Sequence, residues 1–318
     1  MDGGHWYAST ATLRAELKDL LDLERIRELH HVSGWRHAAV ALRQFVLAAA
    51  CGYLIVRYAA TPWIWLPAAV LLGFVIFSLT VLLHEVVHCA VFCDRESPRN
   101  RMLGWLYAAP SGLAPSQFTK WHLDHHDELG TEDKDPKRHH LTPKIVKRWF
   151  KMLYLTPALF PIYFRAAARE AATYPDEFRA RLRRERVVVI ALHVAAMAGI
   201  AWAWGGPMLL RLYAVPVFFV FPVAFTINRL GQHYDIEPDD PAAWGTIIKT
   251  NPVWNFLFLW SNFHMEHHYF PRVPFYNLPA LHRELKPIFD RHPMRFRTYG
   301  GLLWDWFVRN KSPHLNWH

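Results

Sequence analysis

Histidines in this sequence are concentrated in three short clusters with helical spacing. A random arrangement of its 20 histidines would give about 0.08 copies of H-x-x-H-H, and the chain has two. Residues three and four positions apart lie on one face of a helix, so each cluster directs two or three imidazoles the same way. The clusters are His84-Glu-Val-Val-His88, His122-Leu-Asp-His125-His126 and His264-Met-Glu-His267-His268.

This number and spacing of imidazoles are typical of metal ligands. Eight imidazoles exceed what one ion accepts, because zinc sites in proteins are usually four-coordinate. We therefore expect two metal ions in a histidine-rich cage. Imidazole binds zinc, copper, iron and nickel alike, so the ligand type leaves the metal open. Three acidic residues inside the clusters are candidates to orient the imidazoles through the second ring nitrogen, or are solvated charges on a helix face. They are Glu85, Asp124 and Glu266.

Composition and patterning place these clusters in a membrane protein. The chain is 52% hydrophobic and 15% aromatic, which is high for a soluble domain. The apolar residues form four blocks, and about 20 apolar residues are enough to cross a bilayer as a helix. The blocks are 38–60, 63–83, 187–204 and 208–227. The sequence therefore predicts an all-α integral membrane protein, with four transmembrane helices and a cytoplasmic helical cap that carries the histidines.

The order of clusters and spans predicts the orientation. The first cluster ends the second span, the second cluster follows it, and the third comes after a two-span hairpin, so all three lie on one side. All lysines and arginines except Arg57 and Arg211 also belong to that side. By the positive-inside rule this face, with both termini, is cytoplasmic. We expect a multi-pass protein of a bacterial cytoplasmic membrane.

The excess of basic over acidic residues has two possible explanations. The formal net charge of +9 suits anionic lipid headgroups, and it also suits an acidic redox partner. No nucleic-acid recognition motif accompanies the charge, so we expect no nucleic-acid partner. We expect one domain over residues 1–318, with an amphipathic cytoplasmic N-terminus (1–37), a four-span core (38–285) and a cytoplasmic C-terminal tail (286–318).

The clusters and their order resemble the three histidine boxes of the membrane fatty acid desaturase superfamily. The run 264–274, HMEHHYFPRVP, is similar to the third box of sphingolipid and acyl-lipid desaturases. The resemblance covers roughly residues 40–285. It implies two iron ions, O₂ as co-substrate and His233, just after the last span, as a ninth ligand. Some members place an asparagine four residues before that histidine. Asn228 stands five before it and is a candidate to support the metals.

The resemblance implies O₂-dependent oxidation of an unactivated C–H bond in a long-chain lipid. Acyl-chain desaturation is the leading reaction, and hydroxylation, ketolation or oxidative decarboxylation to a terminal alkene are alternatives. The sequence has no G-x-G-x-x-G, Cys₄ pattern or His-Pro-Gly-Gly haem motif. We therefore expect an external electron donor, either ferredoxin with its reductase or cytochrome b5. From another class, His84-Glu85-Val-Val-His88 fits the H-E-x-x-H motif of zinc hydrolases, with Glu85 as general base. That reading leaves both H-x-x-H-H clusters unexplained.

Overall fold

The computed structural model describes residues 4–92, 94–234, 236–237 and 239–312. Contacts divide the chain into two compact units, each assembled from separate stretches. The first unit comprises Met1–Val32, Lys120–Met152 and Ile227–His318, and the second comprises Ser33–Thr119 and Leu153–Thr226. Residues 313–318 of the predicted C-terminal tail lie outside the described residues. The single-domain organisation stays a prediction.

Helices dominate both units. The α-helices are, in chain order, α1 (His5–Ser9), α2 (Ala11–Leu20), α3 (Leu23–Leu29), α4 (Gly34–Arg57), α5 (Pro62–Val87), α6 (Pro98–Ala108), α7 (Pro115–Glu128), α8 (Arg148–Leu153), α9 (Leu159–Ala171), α10 (Asp176–Trp204), α11 (Gly206–Leu209), α12 (Phe221–His233), α13 (Pro252–Leu257), α14 (His264–Tyr269), α15 (Leu278–Glu284), α16 (Lys286–Arg291) and α17 (Tyr299–Leu303). Short 3-10 turns cover Ala109–Ser111, Pro241–Ala243 and Phe275–Asn277, and π-helical segments cover Lys137–Leu141, Leu210–Val220 and Trp304–Val308.

Among the residues that the structure describes, four helical stretches are long and apolar enough to cross a membrane. They are Leu23–Arg57, which takes in α3 and α4, then Pro62–Val87, Asp176–Trp204 and Gly206–His233. Each overlaps one of the four apolar blocks, so the prediction of four membrane helices is confirmed. The chain is a multi-span membrane protein. Only 6% of the apolar window of α10 is buried, which leaves most of that helix to face lipid.

Small side chains let the spans of the second unit approach closely. Helix α5 begins with Pro62 in its first turn, where the missing N–H costs nothing. It packs against α4 through a cluster that includes Cys51, Ile55 and Ala69. Further along, the backbone of Gly73 lies against Val220, so a side chain there would be crowded. Close backbone contact through small residues is how membrane helices associate without a hydrophobic driving force.

The first histidine cluster straddles the end of α5. The helix ends at Val87, with His84 in its last turn and His88 as the capping residue. Cys89 then takes a left-handed conformation, with φ of 59°, and the N–H of Ala90 bonds back to the carbonyl of Glu85 at 3.0 Å. This is the kind of left-handed closure that commonly ends a helix.

The first unit contains a short parallel strand pair that the all-helical prediction missed. Strands β1 (Thr246–Ile248) and β2 (Arg295–Arg297) pair in register, with Ile247 opposite Phe296. All three residues of β1 are buried, and β-branched Ile and Thr suit a buried strand. Three residues are too few to show a sequence periodicity, which is why the pair was not predicted.

Gly73 provides a test of the packing between spans. We expect Gly73→Ala to lower stability by about 1–3 kcal/mol, because its Cβ would meet Val220 and the Pro216 carbonyl, the latter at 2.9 Å. Gly199→Ala in α10 is the matched control, since a Cβ there meets nothing within 4 Å. The measurement is thermal unfolding in detergent. Equal effects of the two substitutions would contradict this packing.

Candidate metal centre

Seven of the predicted ligands lie together in the first unit. Helix α7 carries the second cluster, α14 carries the third, and α12 ends at His233. Each of these side chains is at most 8% exposed. Buried polar groups are costly unless they find partners, so seven clustered imidazoles need an explanation. The seven are His122, His125, His126, His233, His264, His267 and His268.

The first set, which we call the four-histidine group, consists of His125, His233, His264 and His268. Its ligand atoms all lie within 4.8 Å of one another. The Nε2 atom of His233 is central: it lies 3.1 Å from Nε2 of His125, 2.9 Å from that of His264 and 3.1 Å from that of His268. All four rings therefore point the same nitrogen at one small volume.

Partners on the far side of two rings fix which nitrogen carries the proton. Nδ1 of His125 lies 2.9 Å from both carboxylate oxygens of Asp135. Nδ1 of His233 lies 2.7 Å from the carbonyl oxygen of Trp244. A carbonyl oxygen only accepts, so Nδ1 of His233 donates, and the same tautomer satisfies His125 against a carboxylate. In both neutral rings Nε2 then presents a lone pair.

These lone pairs face one another with no proton between them. Two such nitrogens at 3.1 Å repel unless a cation takes the place of the missing hydrogen. An N–H opposite a buried acceptor is also the usual support of a metal-bound histidine. The donor set therefore fits a metal ion bound by nitrogen.

A glycine turn brings the two supporting residues into place. Gly130 follows α7 with φ of 102°, a conformation that L side chains rarely adopt. The space that a Cβ would fill there is taken by the ring of Trp244. The same turn leads on to Asp135, whose Oδ1 accepts the backbone N–H of Lys137 at 2.9 Å. One tight turn thus positions the partners of both His125 and His233.

A second set, the three-histidine group, consists of His122, His126 and His267. Nε2 of His126 lies 3.0 Å from Nε2 of His122 and 3.0 Å from Nε2 of His267. Nδ1 of His122 lies 3.2 Å from Nζ of Lys137. Burial and the nearby charge of Arg229 lower the pKa of Lys137, which favours its neutral amine. The neutral amine accepts a hydrogen bond from the Nδ1–H of His122, and Nε2 of His122 then presents its lone pair to a metal.

Burial also favours the uncharged form of two histidines in the third cluster. It lowers the pKa of His264 and of His268 well below the ordinary value, and neighbouring imidazoles lower it further. A histidine must be neutral to bind a metal. The electrostatics of the group therefore favour the ligand form at neutral pH.

The first cluster lies in the second unit. The rings of His84 and His88 are 4.7 Å apart between centroids, so both are directed to the same side of the helix end. Glu85 is buried, and its Oε1 lies 3.3 Å from Nδ1 of His84. This is the contact expected of an acid that orients a ligand imidazole.

The other predicted supporting residues have partners away from the imidazole groups. Asp124 forms an ion pair with Lys120 at 2.5 Å on a partly exposed helix face. Glu266 is buried and pairs with Nδ1 of His282. The amide of Asn228 donates to Ser261 at 2.9 Å and accepts from Gln232 at 3.0 Å. Support of the metals by these three residues stays a prediction.

Sequence reasoning missed the partners that act across the rings. Asp135 follows His125 by ten residues and belongs to a charged run, 132–135, that reads as solvated loop. Lys137, just after this run, likewise gave no sign of contacting a metal ligand. The contribution of Trp244 is a backbone carbonyl, which no residue type signals. The available indication was that Asp135 stands beside Pro136, shortly after the second histidine cluster.

Comparison with known proteins bears on the same residues. The family model described as fatty acid desaturase matches residues 60–300. The chain belongs to the fatty acid desaturase family. It is 28% identical over 258 residues to the sphingolipid delta(4)-desaturase/C4-monooxygenase DES2 of Homo sapiens, covering 79% of this chain and 74% of the human protein. It is 25% identical over 275 residues to the sphingolipid delta(4)-desaturase DES1 of Drosophila melanogaster, covering 86% and 80%.

The family assignment confirms the resemblance seen in the histidine clusters. The chain is a membrane oxidoreductase of the desaturase family, and its two groups of buried imidazoles are compatible with the two-iron centre that the resemblance implied. Lipid C–H oxidation at a histidine-rich site is consistent with its relatives.

Asp135→Asn tests whether the far-side partners support metal binding. We expect metal affinity to fall by about 10–100-fold, because an amide holds the His125 tautomer less firmly than a carboxylate does. Asp133→Asn is the matched control, since Asp133 is an exposed carboxylate of the same loop. The measurement is elemental analysis of both purified variants after dialysis against graded chelator. Retention of metal by Asp135→Asn at the control level would contradict the assignment.

Proposed function

We propose that this protein inserts a double bond into a long-chain lipid, using O₂ at two iron ions held by nine histidines. The observation that carries the proposal is the convergence of buried Nε2 atoms in two groups, in a chain of the desaturase family. Imidazole ligands alone leave the metal open, and membership of the desaturase family is what supports iron that reacts with O₂.

The ligand assignment follows the two groups. We propose that the four-histidine group holds one iron ion. The three-histidine group holds the other, and the sequence pattern assigns His84 and His88 as its remaining ligands. When bound, the two ions would supply the activation of O₂ and the oxidation of an unactivated C–H bond.

The protein's own residues prepare this chemistry. Asp135, Trp244 and Lys137 hold three imidazoles by their Nδ1 atoms, so each ring keeps its Nε2 directed inward. Burial favours the neutral form of His264 and His268 and limits the access of water to the seven rings of the first unit. Fixed donors need no reorganisation when the metal state changes, which is the general advantage of a preorganised site.

Hydroxylation is the second candidate. The human relative carries both activities in its name, delta(4)-desaturase and C4-monooxygenase. Both reactions begin with removal of hydrogen, and they differ in whether a second hydrogen leaves or oxygen is added. Placement of the chain decides between them, and an error of about 1 Å can change a rate by about 100-fold. Ketolation and oxidative decarboxylation rank below these two, and membrane zinc hydrolysis ranks last.

Electrons are proposed to come from a separate protein. Desaturation with O₂ consumes two electrons beyond those of the substrate. We propose ferredoxin with its reductase as the donor, with cytochrome b5 as the alternative. Basic residues flanking the spans would favour docking of such an acidic partner.

We propose that the histidines and both termini face the cytoplasm. Distribution of lysine and arginine supports this orientation, and a bacterial cytoplasmic membrane stays our prediction, although the relatives named above are eukaryotic. A reporter of sidedness inserted at Pro207, in the first turn of α11, should face the opposite side from one fused after His318. Reporters on the same side would contradict the topology.

The reaction itself can be tested with labelled lipids. The purified protein, a reconstituted reductase chain and a deuterated long-chain substrate are incubated with and without O₂. We expect a product that has lost two hydrogens, formed only with O₂. Gain of ¹⁸O from labelled O₂ would identify a hydroxylase, and loss of one carbon a decarboxylase. Turnover without O₂ would overturn the proposal.

Two histidine variants test whether turnover depends on the three-histidine group. We expect His267→Ala to abolish turnover, because it removes a proposed ligand from the three-histidine group. His139→Ala should leave turnover unchanged, since His139 is exposed and its described ring contact is an edge-to-face contact with His140. Full activity of His267→Ala, with product confirmed by mass spectrometry, would contradict the ligand assignment.

A further inference from the structure

The second unit contains a partly open cavity that the proposed chemistry does not use. Its volume is about 350 Å³, within the range of small-molecule sites. Its walls come from α9, α10, the turn after α6 and the helical stretch from Tyr213 to Phe221. Aromatic rings, among them Phe160, Phe218 and Phe221, line much of it, and Phe160 lies 5.5 Å from Phe218 between centroids. Such walls suit an alkyl chain.

One end of the cavity carries a positive charge. Nε and Nη2 of Arg186 donate to Oε1 of Gln117 at 3.2 and 2.5 Å, and Nη2 also reaches the Ala167 carbonyl at 3.3 Å. Both acceptors are neutral. The adjacent Glu185 is engaged elsewhere, by Ser116 at 2.6 Å and by Arg181 at 3.2 Å. Among the described residues no carboxylate forms an ion pair with Arg186, so its charge lacks an anionic partner.

Gln117 holds this guanidinium in place. It is 4% exposed, and its Nε2 donates to the Ala167 carbonyl at 2.7 Å, so its Oε1 is fixed toward Arg186. An arginine at a membrane boundary otherwise tends to extend toward the headgroups. Here it is tied to the cavity wall by buried groups. A charged side chain fixed in this way within a membrane protein points to a bound ligand.

The position of Arg186 along α10 matches an amphiphile in a bilayer. It is the last charged residue before the apolar stretch 187–204. The cavity then follows one face of the helix through Val189, His193 and Met197. From Arg186 to Met197 the helix rises about 16 Å, at 1.5 Å per residue. The cavity thus runs from headgroup depth into the hydrocarbon region.

The other polar pair in the cavity is already satisfied. Nε2 of His193 donates to the Ala109 carbonyl at 2.8 Å, and its Nδ1 accepts the hydroxyl proton of Tyr213. This pair ties α10 to its neighbours and needs no ligand. The unbalanced charge at Arg186 is therefore what selects the occupant.

We propose that this cavity binds a single-chain amphiphile, with its anionic head group at Arg186 and its alkyl chain along α10. A carboxylate or a phosphate monoester fits equally, because both accept paired hydrogen bonds from a guanidinium. The proposal concerns binding alone and does not depend on the proposed reaction or on bound metal.

Photolabelling in nanodiscs of neutral lipid tests the proposal on the whole chain. The probe is palmitate bearing a diazirine near its chain end, and labelled peptides are mapped by mass spectrometry. We expect labelling on α9, α10 or residues 213–221. Unlabelled oleate should compete with the probe for the site, and oleoyl lysophosphatidate should compete more strongly if a phosphate head group is preferred. Neutral oleyl alcohol should compete about 10–100-fold less well than oleate. Labelling elsewhere, or equal competition by the alcohol, would overturn the proposal.

Two pairs of variants separate charge from shape. Arg186→Gln should weaken competition by oleate by about 10–100-fold, and Arg186→Lys should restore much of that competition. Arg184→Gln, at an exposed neighbouring residue, should leave competition by oleate unchanged.

Val194→Trp should block labelling by filling the cavity. Val188→Trp on the same helix should not, since Val188 is similarly exposed, 45% against 54% for Val194, but lies outside the lining. Variants are compared after size-exclusion chromatography shows them folded. Unchanged binding by both Arg186→Gln and Val194→Trp would refute the site.

Discussion

Mutual repulsion of neutral imidazole nitrogens is the constraint on which the metal centre depends. Four Nε2 atoms lie within about 3 Å of their neighbours in the four-histidine group, and hydrogen bonds hold two of these rings by the opposite nitrogen. Without a cation such an arrangement is unfavourable. The fold must therefore hold the rings rigidly, and a bound metal repays that cost as stability of the folded state.

Short helices meet this requirement in the first unit. Spacing of three and four residues lets α7 and α14 each direct three imidazoles inward, and α12 adds His233 from its last position. Helix α14 has only six residues, too few to be stable alone, so its burial has to stabilise it. Ring contacts extend outward from the ligands, as where Trp6 lies 6.0 Å from His268 between centroids. The site and its surrounding core are one packed structure.

The sequence predicted the features of this protein that follow a regular pattern of residues, namely long apolar blocks and histidines at helical spacing. Four apolar blocks predicted four membrane helices. The spacing of the second and third clusters predicted six ligand histidines, and the family resemblance a seventh, His233, and the structure gathers these seven in one unit. Residue types without periodicity were missed. Asp135 is a loop carboxylate, the support of His233 is a backbone carbonyl, and β1 is three residues long. Each of these features depends on tertiary contacts between segments that are distant in the sequence. Such contacts cannot be recognised from a single sequence.

The central claim is that the histidine groups bind two iron ions through nitrogen. Its most direct test is elemental analysis of protein purified without added metal, together with X-ray absorption at the iron edge. The account predicts two irons per chain and a first coordination shell of nitrogen and oxygen only. One zinc per chain with no iron would contradict it and favour a hydrolytic site.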